Sequence, residues 1–282
     1  MQVYLNGSFV EHNEAKVSVA DRGFIFGDGV YEVTRIINGK PFREKEHLER
    51  LEQGLKSLKI NINHSVLDDI PKISRELLEK NDLLEGEAAI YLQITRGTAW
   101  PRTHTFPNPA VKPSIYLSAS AFTPHTELHE TGVDVITLAD VRWTRCNIKT
   151  VQLLPNTLAK QQAQDAGVNS ALLIRDGVIT ESPNANIFGV KDGELYTYPE
   201  SNYILSGITR QVVLEIADKL DIPVHLNPIR EEELFELDEL FFSGTTTDIQ
   251  PVTVINGKNL GTGKPGPVVK AIQEEHWKLL HA

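Results

Sequence analysis

Lys149 carries the most chemical potential in this 282-residue sequence. It closes the amphipathic run Arg142-Trp143-Thr144-Arg145-Cys146-Asn147-Ile148-Lys149 and precedes a stretch, 150–160, that enters a helix. An amine set among apolar residues is poorly solvated. Burial disfavours the charged form of an ammonium, and a neutral amine is a nucleophile that can form a Schiff base. A surface lysine at a strand end would do none of this, so the residue takes its meaning from its company. Downstream, Leu205-Ser206-Gly207-Ile208-Thr209-Arg210 opens a helix. The free N–H groups of a first turn, at the positive end of the helix dipole, make a phosphate site. Many helices begin after Gly or Ser, so this signal is weak alone. Taken singly, Glu181 reads as a solvated loop carboxylate, Tyr31 as a core or interface aromatic, and His104 as a loop histidine between Pro101 and Pro107.

Other reactive residue types carry less. The stretch 257–266 is glycine- and lysine-rich, but its spacing is wrong for a P-loop and Pro265 stands where a magnesium-binding hydroxyl belongs. It reads as a surface loop leading to the last helix. Cys146 has no histidine near it in sequence and reads as a small packed residue. Lys160 lies within a helix and is a poor rival to Lys149. The nine histidines show no metal-ligand spacing, so no metal is expected.

These residues need elements to hold them. Asn6-Gly7, Asn38-Gly39, Asp176-Gly177, Asp192-Gly193 and Asn256-Gly257 separate β-rich runs and predict hairpins whose turn residues take positive φ. Strands are expected at 30–37, 89–96, 114–119, 133–138, 171–175, 186–190 and 239–243. Helical periodicity predicts helices at 45–58 (Leu48, Leu51, Leu55, Leu58), 156–166, 208–220 and 268–280. The stretch 65–80 is helical in pattern, with its start blurred by Pro71. Hairpins mean antiparallel pairing, and strands and helices do not alternate strictly. The class predicted is therefore α+β or mixed α/β. The aperiodic stretch 118–130 reads as a boundary, which divides the chain into an N-terminal α+β domain at 1–120, a linker at 121–130 and a C-terminal α/β domain at 131–282 carrying Lys149.

Hydrophobic residues make up 40% and charged residues 23%, the balance of a soluble globular protein. A net charge of -10 argues against non-specific binding to nucleic acid or anionic membrane, both of which need a basic face. One cysteine excludes an intrachain disulfide and fits a reducing cytoplasm. No signal peptide or bilayer-spanning run is read in the sequence.

Together the pieces resemble the class IV aminotransferases, the pyridoxal 5'-phosphate (PLP) enzymes of fold type IV. The resemblance runs through 21–32 (Asp-Arg-Gly-Phe-Ile-Phe-Gly-Asp-Gly-Val-Tyr-Glu), 46–51 (Glu-His-Leu-Glu-Arg-Leu), Lys149, 180–189, 205–210 and 243–252, in order over essentially the whole chain. Within the family, 95–104, with Pro101-Arg102-Thr103-His104, looks like the carboxylate trap of the subgroup acting on D-amino acids. The resemblance implies a two-domain fold with the cofactor between the domains, a homodimer, and no nucleic-acid or membrane partner. It implies that Lys149 carries PLP as a Schiff base and moves the proton between substrate and cofactor. Glu181 would bond the pyridine nitrogen and keep it protonated, since an adjacent anion raises its pKa. Arg50, the N–H groups of Ile208 and Thr209, Gly244 and Thr245 would lie at the phosphate, and Leu205 against the ring. Tyr31, Arg102 and His104 would take the substrate carboxylate, which suits a fork of donors.

Two departures from the family pattern stand out. Ala99-Trp100 makes the trap loop one residue longer, and Gly244 replaces a hydroxyl residue that often helps bind phosphate. The activity implied is transfer of an amino group from a D-amino acid, of the D-alanine or D-glutamate type, to a 2-oxo acid such as 2-oxoglutarate. Alternatives are a branched-chain L-amino acid aminotransferase, a 4-amino-4-deoxychorismate lyase and, from another class, a non-catalytic phosphate- or nucleotide-binding protein using the Gly207 helix start.

Overall fold

The computed structural model describes residues 1–282 and is a mixed α/β protein built on two sheets. Contacts group the chain into two compact units: Met1–Thr123 with Ile148–Gln152, and Pro124–Asn147 with Leu153–Ala282.

The first unit holds β1 (Gln2–Leu5), β2 (Ser8–Glu11), β3 (Gly29–Ile37), β4 (Lys40–Pro41), β5 (Glu87–Thr95) and β6 (Ser114–Ala121). They form one antiparallel sheet in the order β2-β1-β6-β5-β3-β4. Alternation sets its faces: Ala88, Ile90, Leu92 and Ile94 on β5 are buried while Glu87, Ala89, Tyr91 and Gln93 between them are half-buried. The helices are α1 (Arg22–Phe26), α2 (Glu44–Leu58), α3 (His64–Asp68) and α4 (Ile70–Lys80). The inner face of α2 is His47, Leu51, Gly54 and Leu55, the i, i+4, i+7, i+8 stripe of an amphipathic helix. Leu48 and Leu58 flank that stripe and are only half-buried. The helical stretch expected at 65–80 is two helices, with Pro71 in the first turn of the second, where its missing N–H costs nothing.

The second unit holds α5 (Thr126–Thr131), β7 (Val133–Ala139), α6 (Leu154–Asp165), β8 (Ser170–Arg175), β9 (Val178–Ile179), β10 (Asn186–Lys191), β11 (Glu194–Thr197), α7 (Ile208–Lys219), β12 (Val224–His225), β13 (Glu239–Gly244), β14 (Asp248–Ile255), β15 (Lys258–Asn259) and α8 (Pro267–Leu280). Its sheet runs β12-β11-β10-β13-β14-β7-β8-β9, with β15 paired to β14. Pairing is parallel at β11–β12, β14–β7 and β7–β8 and antiparallel elsewhere. One core gathers Val133, Val135, Leu172, Ile187, Leu240, Phe242 and Val252. The rings of Phe188 and Phe241 stack at 5.1 Å. Helices α7 and α8 pack on β13.

All five Gly-containing turns close hairpins, each with positive φ at both positions. The chain divides between Thr123 and Pro124, and much of the stretch read as aperiodic is regular: β6 runs to Ala121 and α5 begins at Thr126. Lys149, placed by the sequence with 131–282, packs with the first unit instead. The reason is strand-like pairing: Tyr31 N–H donates to the Lys149 carbonyl at 3.0 Å, Val151 N–H donates to Gly29 at 3.2 Å, and Val30 bridges Thr150. No helix is long and apolar enough to cross a membrane.

Candidate functional site

In the first unit β3 positions the chemistry. Its edge takes the backbone of 148–152, which sets Lys149 Nζ 4.2 Å from the centroid of the Tyr31 ring, where the π face attracts a cation. The next residue, Glu32, points inward and is 2% exposed. Its carboxylate accepts from Arg50 Nε at 2.7 Å, from a second Arg50 nitrogen at 2.8 Å, and meets His47 Nδ1 at 2.8 Å. Helix α2 brings both partners because His47 and Arg50 lie three residues apart on its inner side. Tyr31 stacks on Tyr91 at 5.7 Å.

Burial works to raise the Glu32 pKa, but the charge and hydrogen bonds of Arg50, the His47 bond and the Lys149 charge hold it down at about 2. Burial lowers His47. The ionised Glu32 stabilises the fold above its ordinary value and loses that contribution as pH falls, and protonating the buried His47 becomes a cost over the same fall. The Glu32 share, on the order of 3 kcal/mol, is present above the ordinary carboxylate range and goes as pH drops towards 2. Melting curves between pH 6 and pH 3 are therefore expected to show steep destabilisation that Glu32→Gln flattens. An equal slope in the variant would place the acid sensitivity elsewhere.

The loop bearing Arg102 and His104 also belongs to the first unit. Gly97 has φ +99, and a Cβ there would stand 2.0 Å from the Lys112 carbonyl, so only glycine lets the loop's ends approach. The Arg102 guanidinium lies 4.5 Å from the Phe26 centroid and the His104 ring 5.5 Å from it. Trp100, in the added residues, is 83% exposed.

In the second unit the carboxylate of Glu181 is buried among donors. Oε1 accepts from Asn186 Nδ2 at 2.9 Å and from Leu205 N–H at 2.5 Å, and Oε2 pairs with Arg142. Burial pushes the Glu181 pKa up, against the charge and hydrogen bond of Arg142 and the Leu205 amide. Arg142 is fixed in turn by Asp140, through Nε at 2.9 Å and a second nitrogen at 2.9 Å. Burial would raise Asp140, but Arg142 and the Thr180 hydroxyl hold it at about 2. Asn186 also donates to the Leu205 carbonyl at 2.8 Å, so it ties Glu181 to the segment entering α7. A Cβ on Gly207 would stand 2.1 Å from Asn186 Oδ1, which explains glycine at that helix cap. Ile208 and Thr209 are buried and open the helix, whose first N–H groups have no intrahelical acceptor. Gly244 ends β13 at a turn closed by Thr247 N–H, with Thr245 inside it.

The structure thus gathers Tyr31, Arg50 and Lys149 around one buried carboxylate and its neighbouring ring, and Arg102 with His104 around another ring, in the first unit. It gathers Glu181, Leu205 and Gly207 around Asn186 in the second, with Ile208 and Thr209 following in the first turn of α7. Sequence reasoning gave no role to Glu32, His47, Arg142, Asp140, Asn186 or Phe26. The legible signal was a charged residue on the inward register of a strand, as at Glu32 between Val30 and Ile36, since burial of an acid demands partners. Cys146 is packed, with Sγ donating to the Trp143 carbonyl at 3.1 Å, and burial lifts its pKa to about 11, so it stays a thiol. Lys160 Nζ is taken by the Asn169 carbonyl at 2.5 Å.

A family model described as Amino-transferase class IV matches residues 29–255. A protein named D-alanine aminotransferase from Staphylococcus haemolyticus is 41% identical over 282 residues, covering 100% of this chain and 98% of the relative. Among solved structures, the branched-chain amino acid aminotransferase of Escherichia coli superposes with a TM-score of 0.90 at 28% identity, over 99% of this chain and 94% of the other. A branched-chain amino acid aminotransferase of T.th., solved with pyridoxamine 5'-phosphate, does so with a TM-score of 0.87 at 27% identity, over 98% and 93%.

Proposed function

The chain belongs to the class IV aminotransferases, and from that premise we propose that it is a PLP-dependent transaminase moving the amino group of a D-amino acid, of the D-alanine or D-glutamate type, to a 2-oxo acid such as 2-oxoglutarate. The observation that carries the D-specific reading is full-length identity of 41% to a protein named for D-alanine. The loop with Arg102 and His104 supports it. Likeness to branched-chain enzymes in solved structures reflects a shared fold, and a fold hosts several substrates. It nevertheless favours L-leucine as the rival donor.

The residues fit the cofactor. The start of α7 offers backbone donors and a dipole to a phosphate, and Gly207 at its cap lets the Asn186 side chain pack close against it. Glu181 offers a buried carboxylate suited to a protonated ring nitrogen. When bound, PLP supplies an aldehyde that condenses with amines and a ring that accepts the electron pair released at the substrate Cα.

Lys149 Nζ would hold the cofactor aldehyde at rest, and once freed its amine would take the proton from the substrate Cα and move it on. The Tyr31 ring and the Glu32 charge steady that amine while it carries the proton. Glu181 would keep the ring nitrogen protonated through its negative charge, and the Arg142–Asp140 pair keeps Glu181 in place. In the first unit Arg50, oriented by Glu32, would serve the cofactor phosphate; in the second the Ile208 and Thr209 amides and the Gly244–Thr245 turn would do so. Leu205 would pack against the cofactor ring. Tyr31, Arg102 and His104 orient the substrate by its carboxylate. The working form proposed is a cytoplasmic homodimer.

Purified protein given PLP is expected to turn over D-alanine with 2-oxoglutarate and leave L-leucine unused. Activity with L-leucine alone would reverse the donor assignment. Arg102→Ala is expected to raise KM for the amino acid by the loss of a charged hydrogen bond, about 1.5–3 kcal/mol. Steady-state kinetics with an unchanged KM would remove Arg102 from the substrate's reach.

A further inference from the structure

Arg102 is an exposed side chain on an exposed loop. A long guanidinium that binds a carboxylate from a free ensemble of rotamers loses that freedom on binding, so something must hold it beforehand. The Phe26 ring meets this need. Three groups converge on it: the Arg102 guanidinium at 4.5 Å, the Arg22 guanidinium at 4.6 Å and the His104 ring at 5.5 Å. Arg22 also donates to the carbonyl of Thr103 at 2.8 Å and of Thr105 at 3.4 Å, so its hydrogen bonds bracket His104 along the chain.

The mount itself is rigid. Asp21 caps α1 by accepting from Gly23 N–H at 2.8 Å, and also accepts from Thr95 Oγ1 at 3.0 Å and Ser114 Oγ at 2.6 Å. Gly27 closes the helix in the left-handed region. Asp28 offsets the like charges near the ring, taking Arg22 Nε at 2.9 Å and Arg96 Nε at 2.7 Å. Arg96 in turn lies 3.6 Å from the Phe106 ring, on the far side of the loop sequence from Arg102. Backbone pairing of Arg22 N–H with Gly97 and of Ala99 N–H with Ala20 ties the loop's first residues to the lead-in of α1.

We propose that Phe26, braced by Arg22, is the positioning residue that presets Arg102 and His104 for the substrate carboxylate. This rests on the reading of those two residues as carboxylate binders. The ring touches neither substrate nor cofactor in this assignment; it acts through the side chains stacked on it.

A double-mutant cycle separates preorganisation from general support of the fold. Phe26→Leu is expected to raise KM for D-alanine about tenfold with kcat within about twofold, in keeping with the strength of such ring contacts. Phe26→Tyr, which keeps the π face, should retain the wild-type KM. Introduced into an Arg102→Ala, His104→Ala chain, Phe26→Leu should add no more than about a further twofold. Arg22→Gln, which leaves the ring in place, should show the same dependence on Arg102 and His104. An unchanged KM in Phe26→Leu, or the same factor of loss in both backgrounds, would overturn the proposal. Should the wild type accept L-leucine and refuse D-alanine, the donor assignment fails, and the cycle is read with L-leucine instead.

Discussion

Lys149→Ala is expected to lose transamination by at least ~10²–10⁴-fold, the range that a positioned proton-transfer group contributes. It should also lose the visible band that a lysine-bound pyridoxal gives. The variant keeps its fold, because the segment is held by main-chain bonds from Tyr31 and Val151 that a side-chain deletion leaves intact. Lys149→Arg sharpens the test. Arginine keeps the cation near Tyr31 and Glu32 but cannot give up its proton, so it should be as inactive as alanine. Wild-type turnover in either variant, or a peptide map after borohydride reduction with this side chain unlabelled, would move the amine to another residue.

The second large effect is expected at Glu181. Glu181→Gln removes the negative charge and keeps the shape. Its carbonyl can still accept the Leu205 amide, and Arg142 retains Asp140. The glutamine N–H2 would face the Arg142 nitrogen that Oε2 now accepts, so stability should fall by about 1–3 kcal/mol, while kcat falls on the order of 10²-fold or more, the usual scale for deleting a preorganised electrostatic partner. Glu181→Ala should add a loss of stability of about 1–3 kcal/mol, because a buried guanidinium nitrogen of Arg142 and the Leu205 amide lose their acceptor. A glutamine variant with full kcat would remove the carboxylate from the chemistry, whatever its effect on melting.

The contrast between these residues and their neighbours shows what a sequence can disclose. Hairpins were legible because Asn-Gly and Asp-Gly encode backbone dihedrals directly. Helices α2, α7 and α8 were legible because burial of one face writes a 3.6-residue period. Parallel pairing of β7 with β8 and β14 was not, since it depends on which strands the crossover brings side by side. Lys149 stood out through the residues around it, but its attachment to β3 rests on two backbone hydrogen bonds that no side-chain pattern records. The supporting groups were the least visible. Glu32 and Arg50 are 18 residues apart, Arg142 and Glu181 39 apart, and each member alone reads as an ordinary surface charge.

The way Lys149 is mounted also bears on speed. Its carbonyl is gripped by Tyr31 N–H, and Val151 two residues on is tied to Gly29, so the peptide chain from Lys149 onward is pinned to the border of a sheet. Only the four-carbon stem is left to swing the nitrogen from one bonding partner to another. Rotations of that kind run on roughly the ns scale, far quicker than typical turnovers of ~1–10³ per second. Thickening the medium with glycerol should accordingly leave the proton-shuttling step untouched, and any slowing it does cause would belong to the arrival or departure of reactants.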